Sequence, residues 1–492
     1  KYGLWEAVDF TPRRCASASG ESVRTVMAHH LGMSLIAAAN CLLGNIMCRR
    51  FMSEPDMAAF APLLAERSPE GAVTLRRRGF DRPQRPRERR AAVPGESFPC
   101  VRTSAPRVYP LSNGVYSLLV SSTGLSAAHC GGVLLYRGFE SPLRGPAGIR
   151  LRFMGADLLP IPGAEGGLAF TLERRGGALR FTGESARFAS EALCAVSARD
   201  ECELRAVEIR AREALRGELR LEFEPVLARD ADFAAHPAYW RLGLTAETED
   251  GALLLRRIPR EGISGCWLCL AADRDCVFAA NAYGEALGAL SHPYVTARVP
   301  LSLAAGETAR VRFSLAFAPT RATALETARR GLALGAAQCG DLVSVLAAVY
   351  SLPREAVDAL PELAGRLCFP RVDGGGAPLG ALGISGDLPL AVMPAGDAEK
   401  LSAAIARHAL LRAAGVRAEL AVVTSDGGDY RRPGHAALMR ALASRSLEAL
   451  LGARGGVFVT DDPEGACAAS AAVLMDEGGA PAPRRFPGYP SD

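Results

Sequence analysis

Apolar residues are spaced in different ways along the chain. Residues 1–67 have apolar positions at helical spacing, most clearly from Ser22 to Leu43 and from Pro55 to Arg67, and this spacing predicts helices. From about residue 105 to 320 the period is two, and segments 218–224 and 311–317 alternate strictly. Because many such runs are separated by Gly, Pro and Asp, we predict a large antiparallel β-sandwich. Residues 321–367 return to the helical period.

The last third of the chain alternates strands with helices. The predicted strands are 388–393, 419–424 and 457–460, and the helices that follow them are 398–413, 435–451 and 467–475. Repeats of strand and helix form parallel sheets covered by helices. We therefore predict a small α/β module with a parallel sheet.

Composition excludes several classes of protein. With 49% hydrophobic and 22% charged residues, the chain can build globular cores, and it is neither wholly disordered nor collagenous. The net charge of +4 is too balanced to predict a nucleic-acid partner. No run of about 20 uncharged apolar residues occurs, so the sequence predicts no membrane span.

An arginine-rich segment separates the first helices from the alternating region. Residues 76–90 contain eight arginines and two prolines without an apolar period. This composition is typical of a solvated linker. A basic anchor to acidic phospholipid is the alternative.

Candidate catalytic chemistry lies at the start of the chain. Glu6 and Asp9 are three residues apart, and they share a face if this segment is helical. Tyr2 and Trp5 beside them are suited to stacking on a sugar ring, and cleavage or transfer of glycosidic bonds uses a carboxyl pair. The alternative is a helix end with acidic residues at the surface.

Two adjacent histidines, His29 and His30, lie on the next predicted helix. Neighbouring helical residues point about 100° apart, so they do not bind one metal ion as an i, i+4 pair would. In one interpretation, one histidine lines a sugar subsite while the other packs. In the other, at least one has a plain core role.

Cys266 and Cys269 are the one cysteine pair whose spacing is typical of metal or redox sites. They lie in a segment that alternates like a strand, and no second pair stands at zinc-finger distance. We therefore predict a structural role for both cysteines, no bound metal and no cofactor.

Five short motifs occur in order along the chain. The first two are Tyr-Gly-x-x-Glu-Ala-x-Asp-Phe-Thr-Pro at 2–12 and Met-Ala-His-His-x-Gly-Met-Ser-Leu at 27–35. The others are Pro-Leu-Ser-Asn-Gly-Val-Tyr at 110–116, Ala-His-Pro-Ala-Tyr at 235–239 and Gly-Ile-Ser-Gly-Asp-Leu-Pro-Leu at 383–390. The first two resemble the end of the glycoamylase-like domain of bacterial cyclic β-1,2-glucan synthases. The rest resemble the following phosphorylase-like β-supersandwich, of glycoside hydrolase family 94, and the segment after it.

The resemblance implies an activity and a set of site residues. In that family the glycoamylase-like domain is an (α/α) barrel that performs transglycosylation and ring closure on linear glucan, and a phosphorylase-like part trims chain length. Glu6 is then the candidate catalytic carboxylate, as general acid, nucleophile or subsite ligand. The candidate substrate-binding residues are Tyr2, Trp5, Asp9, His29 and His30. The barrel with the phosphorylase acid is expected after Asp492, so we expect a fragment without phosphorylase activity.

Two departures from the family pattern bear on sugar binding. The family usually has Gln where this chain has Leu31, so a hydrogen bond is lost. The Gly-Tyr-Ser-x-Trp stretch and the Trp-Arg-Glu-Asp segment of the family are replaced here by 124–129 and an aromatic-free continuation. Because aromatic stacking orients sugars, we expect the sandwich to bind glycan weakly or to serve as scaffold.

The predicted fold class is multidomain α+β. It comprises the C-terminal helices of an (α/α) barrel, a large antiparallel supersandwich, a helical linker and a small α/β parallel-sheet module. The predicted segments are 1–70 (glycoamylase-like), 71–104 (Arg/Pro-rich linker), 105–320 (supersandwich), 321–380 (helical linker), 381–478 (α/β module) and 479–492 (tail).

The residues leave three functions open. The first is a bacterial carbohydrate-active fragment of a glucan-transferring enzyme, and the second is a non-catalytic glycan-binding or scaffolding unit. The third is a basic membrane-surface module. The predicted partners are a β-glucan oligosaccharide or polysaccharide and other domains of the same longer protein, with no nucleic acid. We expect a cytoplasmic location at the inner face of the bacterial inner membrane, through the longer protein.

Overall fold

The computed structural model describes residues 5, 7–9, 21–59, 96–100, 106–138, 148–260, 264–281, 287–369, 384, 388–424, 426, 432–470 and 472–474. The chain divides into two compact units, Lys1–Glu88 and Arg89–Asp492. The finer domain boundaries drawn from the sequence stay predictions.

The first unit contains a strand pair where the sequence predicts helix. β1 (Ala7–Asp9) pairs antiparallel with β2 (Glu21–Val23). Val8 and Val23 lie in these strands. Both are β-branched residues, which favour the extended conformation over the helical one. The predicted helix is therefore wrong for these residues. Asp9 lies on a strand instead of the predicted helix, and Glu6 is outside the described residues.

Helices follow in the first unit, and their apolar side chains are exposed. They are α1 (Ala28–Leu42), α2 (Ile46–Met52) and α3 (Pro55–Ala59), which confirms helix here, although α1 begins six residues after Ser22. Met33, Leu35 and Leu42 are 66%, 71% and 80% exposed. Across the described residues no single helix is long and apolar enough to cross a bilayer. α1 and α2 meet that requirement only when joined, and they are bent by 100° at the break between them.

Antiparallel strands make up most of the second unit. In chain order they are β3 (Glu96–Pro99), β4 (Val108–Ser112), β5 (Tyr116–Ser121), β6 (Ser126–Cys130), β7 (Val133–Tyr136), β8 (Arg150–Phe153), β9 (Ala156–Asp157), β10 (Ala169–Arg175), β11 (Ala178–Glu184), β12 (Phe188–Val196), β13 (Cys202–Ala211), β14 (Leu215–Phe223), β15 (Pro225–Ala228), β16 (Leu244–Glu249), β17 (Ala252–Arg257), β18 (Cys266–Ala272), β19 (Val277–Asn281), β20 (Gly288–Ala289), β21 (Pro293–Leu303) and β22 (Thr308–Ala318). Two short helices, α4 (Asp230–Ala235) and α5 (Pro237–Arg241), follow β15.

These strands form a ten-stranded sheet and two five-stranded sheets within the described residues. The ten-stranded order is β20-β16-β17-β18-β22-β13-β12-β11-β10-β3, and the others are β19-β21-β14-β8-β9 and β15-β7-β6-β5-β4. One apolar cluster draws residues from all three sheets, among them Leu118, Leu221 and Phe313. The antiparallel sandwich predicted from the period of two is therefore confirmed. β3 lies within the segment 71–104 that was predicted as a linker. Residues 96–99 of that segment therefore form an edge strand of the ten-stranded sheet.

The period of two arises because alternate side chains of a strand point to opposite faces. Along β14, Leu219 and Leu221 are buried while Arg216 and Arg220 are exposed. Cys266 and Cys269 lie buried on β18 as free thiols. Burial raises the pKa of these thiols to about 11 and about 12.

Helices connect the sandwich to the module. They are α6 (Arg321–Leu332), α7 (Leu342–Val349), α8 (Arg354–Asp358) and α9 (Leu360–Cys368), which confirms the helical period after 320. The side chain of Thr320 caps α6, and that of Asp341 caps α7. Val108 and Leu119 of the sandwich share one apolar cluster with these helices and with the module.

The module contains the predicted parallel sheet. Its strands are β23 (Leu390–Pro394), β24 (Glu419–Val423), β25 (Val457–Thr460) and β26 (Ala472–Val473), and its helices are α10 (Ala398–Ala413), α11 (Pro433–Ala443) and α12 (Pro463–Ala469). Among the described residues the sheet order is β25-β24-β23-β26, all parallel. Ile384, in the Gly-Ile-Ser-Gly-Asp motif before β23, is buried.

Two predicted helices of the module differ from the structure. α11 ends at Ala443 instead of 451, and Ser446, with φ +54°, lies beyond its end. The last helix is α12, which Asp462 caps by accepting a hydrogen bond from the amide of Gly465. The residues predicted as its continuation form β26, because Ala472 and Val473 pair with β23.

Candidate functional site

The sugar-site residues predicted from the sequence lie in the first unit. Trp5 is 57% exposed, Asp9 is half-buried on β1, and His29 and His30 are exposed in the first turn of α1. The two imidazole centroids are 4.0 Å apart with their planes at 63°. Tyr2 and Glu6 lie outside the described residues, so the predicted carboxylate site stays a prediction.

A cleft of about 650 Å³ lies in the second unit, between the sandwich and the module. On the sandwich side it is lined by the turns 114–115 and 131–132 and by residues at the start of α4. On the module side it is lined by residues 412–418 and 454–455, which precede β24 and β25. Turns of the sandwich thus face the amino-terminal edge of the parallel sheet in the module.

The sandwich side of the cleft presents His129 from the end of β6. The pairing of β6 with β7 shifts register between Ala128 and His129. Such an irregularity bends a strand and redirects the side chain next to it. His129 is 13% exposed and lines the cleft.

The module side is shaped by the end of α10. The amide of Gly415 donates to the carbonyl of Arg412, and that of Val416 donates to the carbonyl of Leu411, which is the pattern of a Schellman C-cap. Gly415 has φ +98°, a conformation that favours glycine. A methyl group at Gly415 would lie 2.4 Å from Cβ of Ser117, so the backbone here packs directly on β5.

An ion-paired cluster joins the two sides of the cleft. Nε2 of His129 lies 2.9 Å from Oδ2 of Asp230, and an Arg417 guanidinium nitrogen lies 2.6 Å from the same oxygen. Burial alone would raise the pKa of Asp230. The hydrogen bond and charge of His129 and the charge of Arg417 outweigh burial and hold that pKa below its usual value. Asp230 is therefore ionised, and its carboxylate links His129 of the sandwich to Arg417 of the module.

An ion pair and two further arginines complete the charged lining of the cleft. Nε of Arg229 lies 2.6 Å from a carboxylate oxygen of Asp232. Arg412 and Arg454 also line the cleft, and both are exposed. Arg412 has no carboxylate partner within the described part of the chain.

This arrangement is suited to binding rather than to proton transfer. A glycosidase needs one carboxyl group whose pKa is raised so that it can donate a proton. Asp230 has the opposite shift, and Asp232 is in an ion pair. Guanidinium groups and a half-satisfied imidazole are instead hydrogen-bonding groups for a polar ligand.

Sequence reasoning did not select the cleft residues. His129 entered it only as the end of a stretch that departs from the family pattern. Asp230 and Arg417 are separated by 187 positions, so no local spacing relates them. The one available signal is the Arg229-Asp230-Ala231-Asp232 run, where charges follow directly on the buried strand β15.

No protein-family model matches the chain. The cyclic β-(1,2)-glucan synthase NdvB of Rhizobium meliloti is 28% identical over 268 residues, which are 50% of this chain. The match spans 9% of that protein's length, so the chain corresponds to a small part of its relative.

Solved structures show weaker similarity. A bacterial glucoamylase complexed with acarbose covers 56% of this chain and 42% of its own, with 8% identity and a TM-score of 0.36. A human-microbiome protein described as a kojibiose phosphorylase covers 56% and 34%, with 8% identity and a TM-score of 0.31. TM-scores of this size do not establish a shared fold. The predicted resemblance to cyclic β-1,2-glucan synthases is confirmed by the sequence match with NdvB, over half of the chain.

Proposed function

We propose that this chain is a saccharide-binding unit of a β-1,2-glucan-processing protein, and that the cleft between sandwich and module holds the saccharide. The observation that carries the proposal is the cleft itself. Its walls come from two folded parts, and its volume of about 650 Å³ falls within the range of about 300–1,000 Å³ that is usual for ligand sites.

The class of ligand follows from the relative. NdvB is named as a cyclic β-(1,2)-glucan synthase, so a β-1,2-linked glucan is the saccharide we propose. Transglycosylation belongs, in this proposal, to the predicted Glu6 site and to other domains of the longer protein. We also propose that the longer protein holds this chain at the inner face of the bacterial inner membrane.

The proposal is tested by calorimetry with β-1,2-linked glucan oligosaccharides. Val115 lines the cleft and is 53% exposed, so Val115→Trp fills the cleft without disturbing a core. We expect this variant to weaken binding at least tenfold. Val277 is similarly exposed, at 54%, on strand β19, which contributes no residue to the lining of the cleft, and Val277→Trp is the matched control. Equal affinity of both variants, or no binding by the unmodified chain, would refute the proposal.

A further inference from the structure

An exposed aromatic side chain lies outside the lining of the cleft. Tyr239, the last residue of the Ala-His-Pro-Ala-Tyr motif, lies on α5 and is 53% exposed. Its hydroxyl group has no hydrogen-bond partner among the described residues. The proposed function gives this tyrosine no role, and neither a core nor a polar contact of the hydroxyl accounts for it.

One face of the Tyr239 ring is covered by an arginine. The guanidinium carbon of Arg260 lies 4.1 Å from the ring centroid, and Nη1 of Arg260 donates to the carbonyl of Tyr239 over 2.9 Å. The ring of Trp240 is perpendicular to that of Tyr239, with the centroids 5.5 Å apart. Because Arg260 covers one face, the exposed area of the tyrosine comes from the other face and the edges of its ring.

The backbone that carries the ring is held in place. The buried side chain of Arg257 donates to the carbonyls of Trp240 and Leu242. Gly243 has φ +76°, and a methyl group there would lie 2.8 Å from Nη2 of Arg260, so the bare backbone of this glycine leaves room for the stacked guanidinium. An aromatic side chain that is already fixed loses little conformational entropy when a ligand binds to it.

The open face of the ring is suited to a glucose residue in β linkage. All the ring substituents of such a residue are equatorial, so both of its faces present C–H groups, which pack on an aromatic face. The hydroxyl of Tyr239 lies in the plane of its ring, where it can exchange a hydrogen bond with an equatorial hydroxyl at the rim of the sugar. Apolar contact and one polar group are thus combined in a single side chain.

We infer that the open face of Tyr239 is a second saccharide site, which stacks a glucose residue of a β-linked glucan. The inference rests on the proposed function for the class of saccharide. It adds a site outside the cleft, and the selectivity of this site comes from the shape of one sugar residue and not from the linkage between residues.

Fluorescence of Trp240 reports on this site, because its ring lies beside that of Tyr239. The other two tryptophans are Trp5 and Trp267, and replacing both with Phe leaves Trp240 as the source of the signal. We expect saturable changes with β-1,2-glucotriose and with β-1,4-linked cellotriose, at affinities within about threefold of each other. The α-1,2-linked residues of mannotriose have an axial substituent on each face, so this sugar should bind about fivefold more weakly or worse.

Equal affinity for mannotriose and the glucans, or no saturable change with either glucan, would overturn the inference. Tyr239→Ala removes the ring and should weaken both glucans about fivefold or more. Tyr239→Phe keeps the ring and should stay within about threefold of the parent. Val277→Ala, at an exposed position of β19, is the control and should change neither affinity. A Tyr239→Ala variant that binds the glucans as tightly as the parent would also overturn the inference.

Calorimetry separates this site from the cleft. In a Tyr239→Ala background the remaining glucan binding belongs to the cleft, and Val115→Trp should weaken it. If Val115→Trp weakens glucan binding while Trp240 gives no signal, the cleft is upheld and the second site is overturned. If the signal of Trp240 depends on Tyr239 while Val115→Trp has no effect, the second site is upheld and the cleft is refuted.

Discussion

A buried histidine makes the module sensitive to acid. His408 lies on α10 with 4% of its surface exposed, and its Nε2 is 3.2 Å from the carbonyl oxygen of Gly455. Burial lowers its pKa from 6.5 to about 4, and the charge of Arg412 adds to this, while the hydrogen bond to Gly455 opposes it. The folded protein therefore holds a neutral imidazole at a pH where the unfolded chain is protonated.

This difference fixes the sign of the pH dependence. Below pH 6.5 the unfolded chain binds a proton that the folded chain does not bind, so the free energy of unfolding falls as the pH falls towards 4. Between pH 7 and pH 5 we expect a loss of about 2 kcal/mol. Urea denaturation at both pH values measures it.

Substitution isolates the contribution of this residue. His408→Gln keeps a donor for Gly455 but does not titrate, so most of the loss between pH 7 and pH 5 should disappear. His292→Gln, at an exposed histidine, should retain it. If His408→Gln shows the parent's full pH dependence, the buried imidazole is not its cause.

Glu6 remains the residue on which the predicted chemistry of the first unit depends. In a protein that carries the whole glycoamylase-like domain, Glu6→Gln keeps the size and hydrogen bonding but removes the ionisable proton. If Glu6 is the general acid, transglycosylation should fall about 100-fold or more. Activity within about threefold of the parent, with unchanged thermal stability, would remove Glu6 from the site.

The burial of individual polar residues could not be predicted from the sequence. Arg257 is fully buried and donates to the backbone carbonyls of Val226, Leu227, Trp240 and Leu242. Its burial lowers its pKa to about 10. Nothing in the sequence of β17 distinguishes this arginine from the exposed Arg256 beside it, because its acceptors lie 15 to 31 positions away.

At the scale of elements, the junction between α10 and β24 fixes how the module packs on the sandwich. Gly415 ends α10 in a positive-φ conformation and places its backbone against Ser117 of β5. Two residues on, Arg417 reaches Asp230. One glycine thus allows both the helix end and the close approach of two sheets.

Gly415→Ala should therefore lower the free energy of unfolding by about 2–3 kcal/mol, from strained backbone and from overpacking against Ser117. Gly306 has a similar φ of +82° but nothing within 4 Å of an added methyl group. Gly306→Ala is the matched control, with an expected loss of about 1 kcal/mol. Equal losses in urea denaturation would show that contact with Ser117 adds nothing.

Elements with a sustained period were predictable, and short ones were not. β14, β22 and α10 follow from many alternating or helically spaced residues, so local pattern and tertiary packing agree. β1 and β26 have three and two residues, and their strand character comes from a partner elsewhere in the chain. The cleft was missed for the same reason, since its walls meet only through tertiary packing.

At the scale of the second unit, the sandwich and the module share one interior. Val108 and Leu119 of the sandwich are buried in the same apolar cluster as Leu363 of α9, Ile405 of α10 and Leu420 of β24. Separating the two parts would expose these side chains, at about 1.5–3 kcal/mol for each large one. We therefore expect the two parts to unfold together.

Native-state hydrogen exchange tests this cooperativity. Slowly exchanging amides of β13 in the sandwich and β24 in the module should open with free energies that agree within about 1 kcal/mol. Amides of β24 that open several kcal/mol more easily than those of β13 would show that the module unfolds by itself.

The shared apolar cluster also limits the positions at which recombination with another gene can give a folded protein. A crossover between β22 and β23 would join a foreign module to strands whose outer face, at Val108 and Leu119, is shaped for α9 and α10. Such a chimera would begin with a mismatched interior. The sandwich, the connecting helices and the module therefore form one evolutionary unit. We expect related proteins either to contain all three or to lack all three.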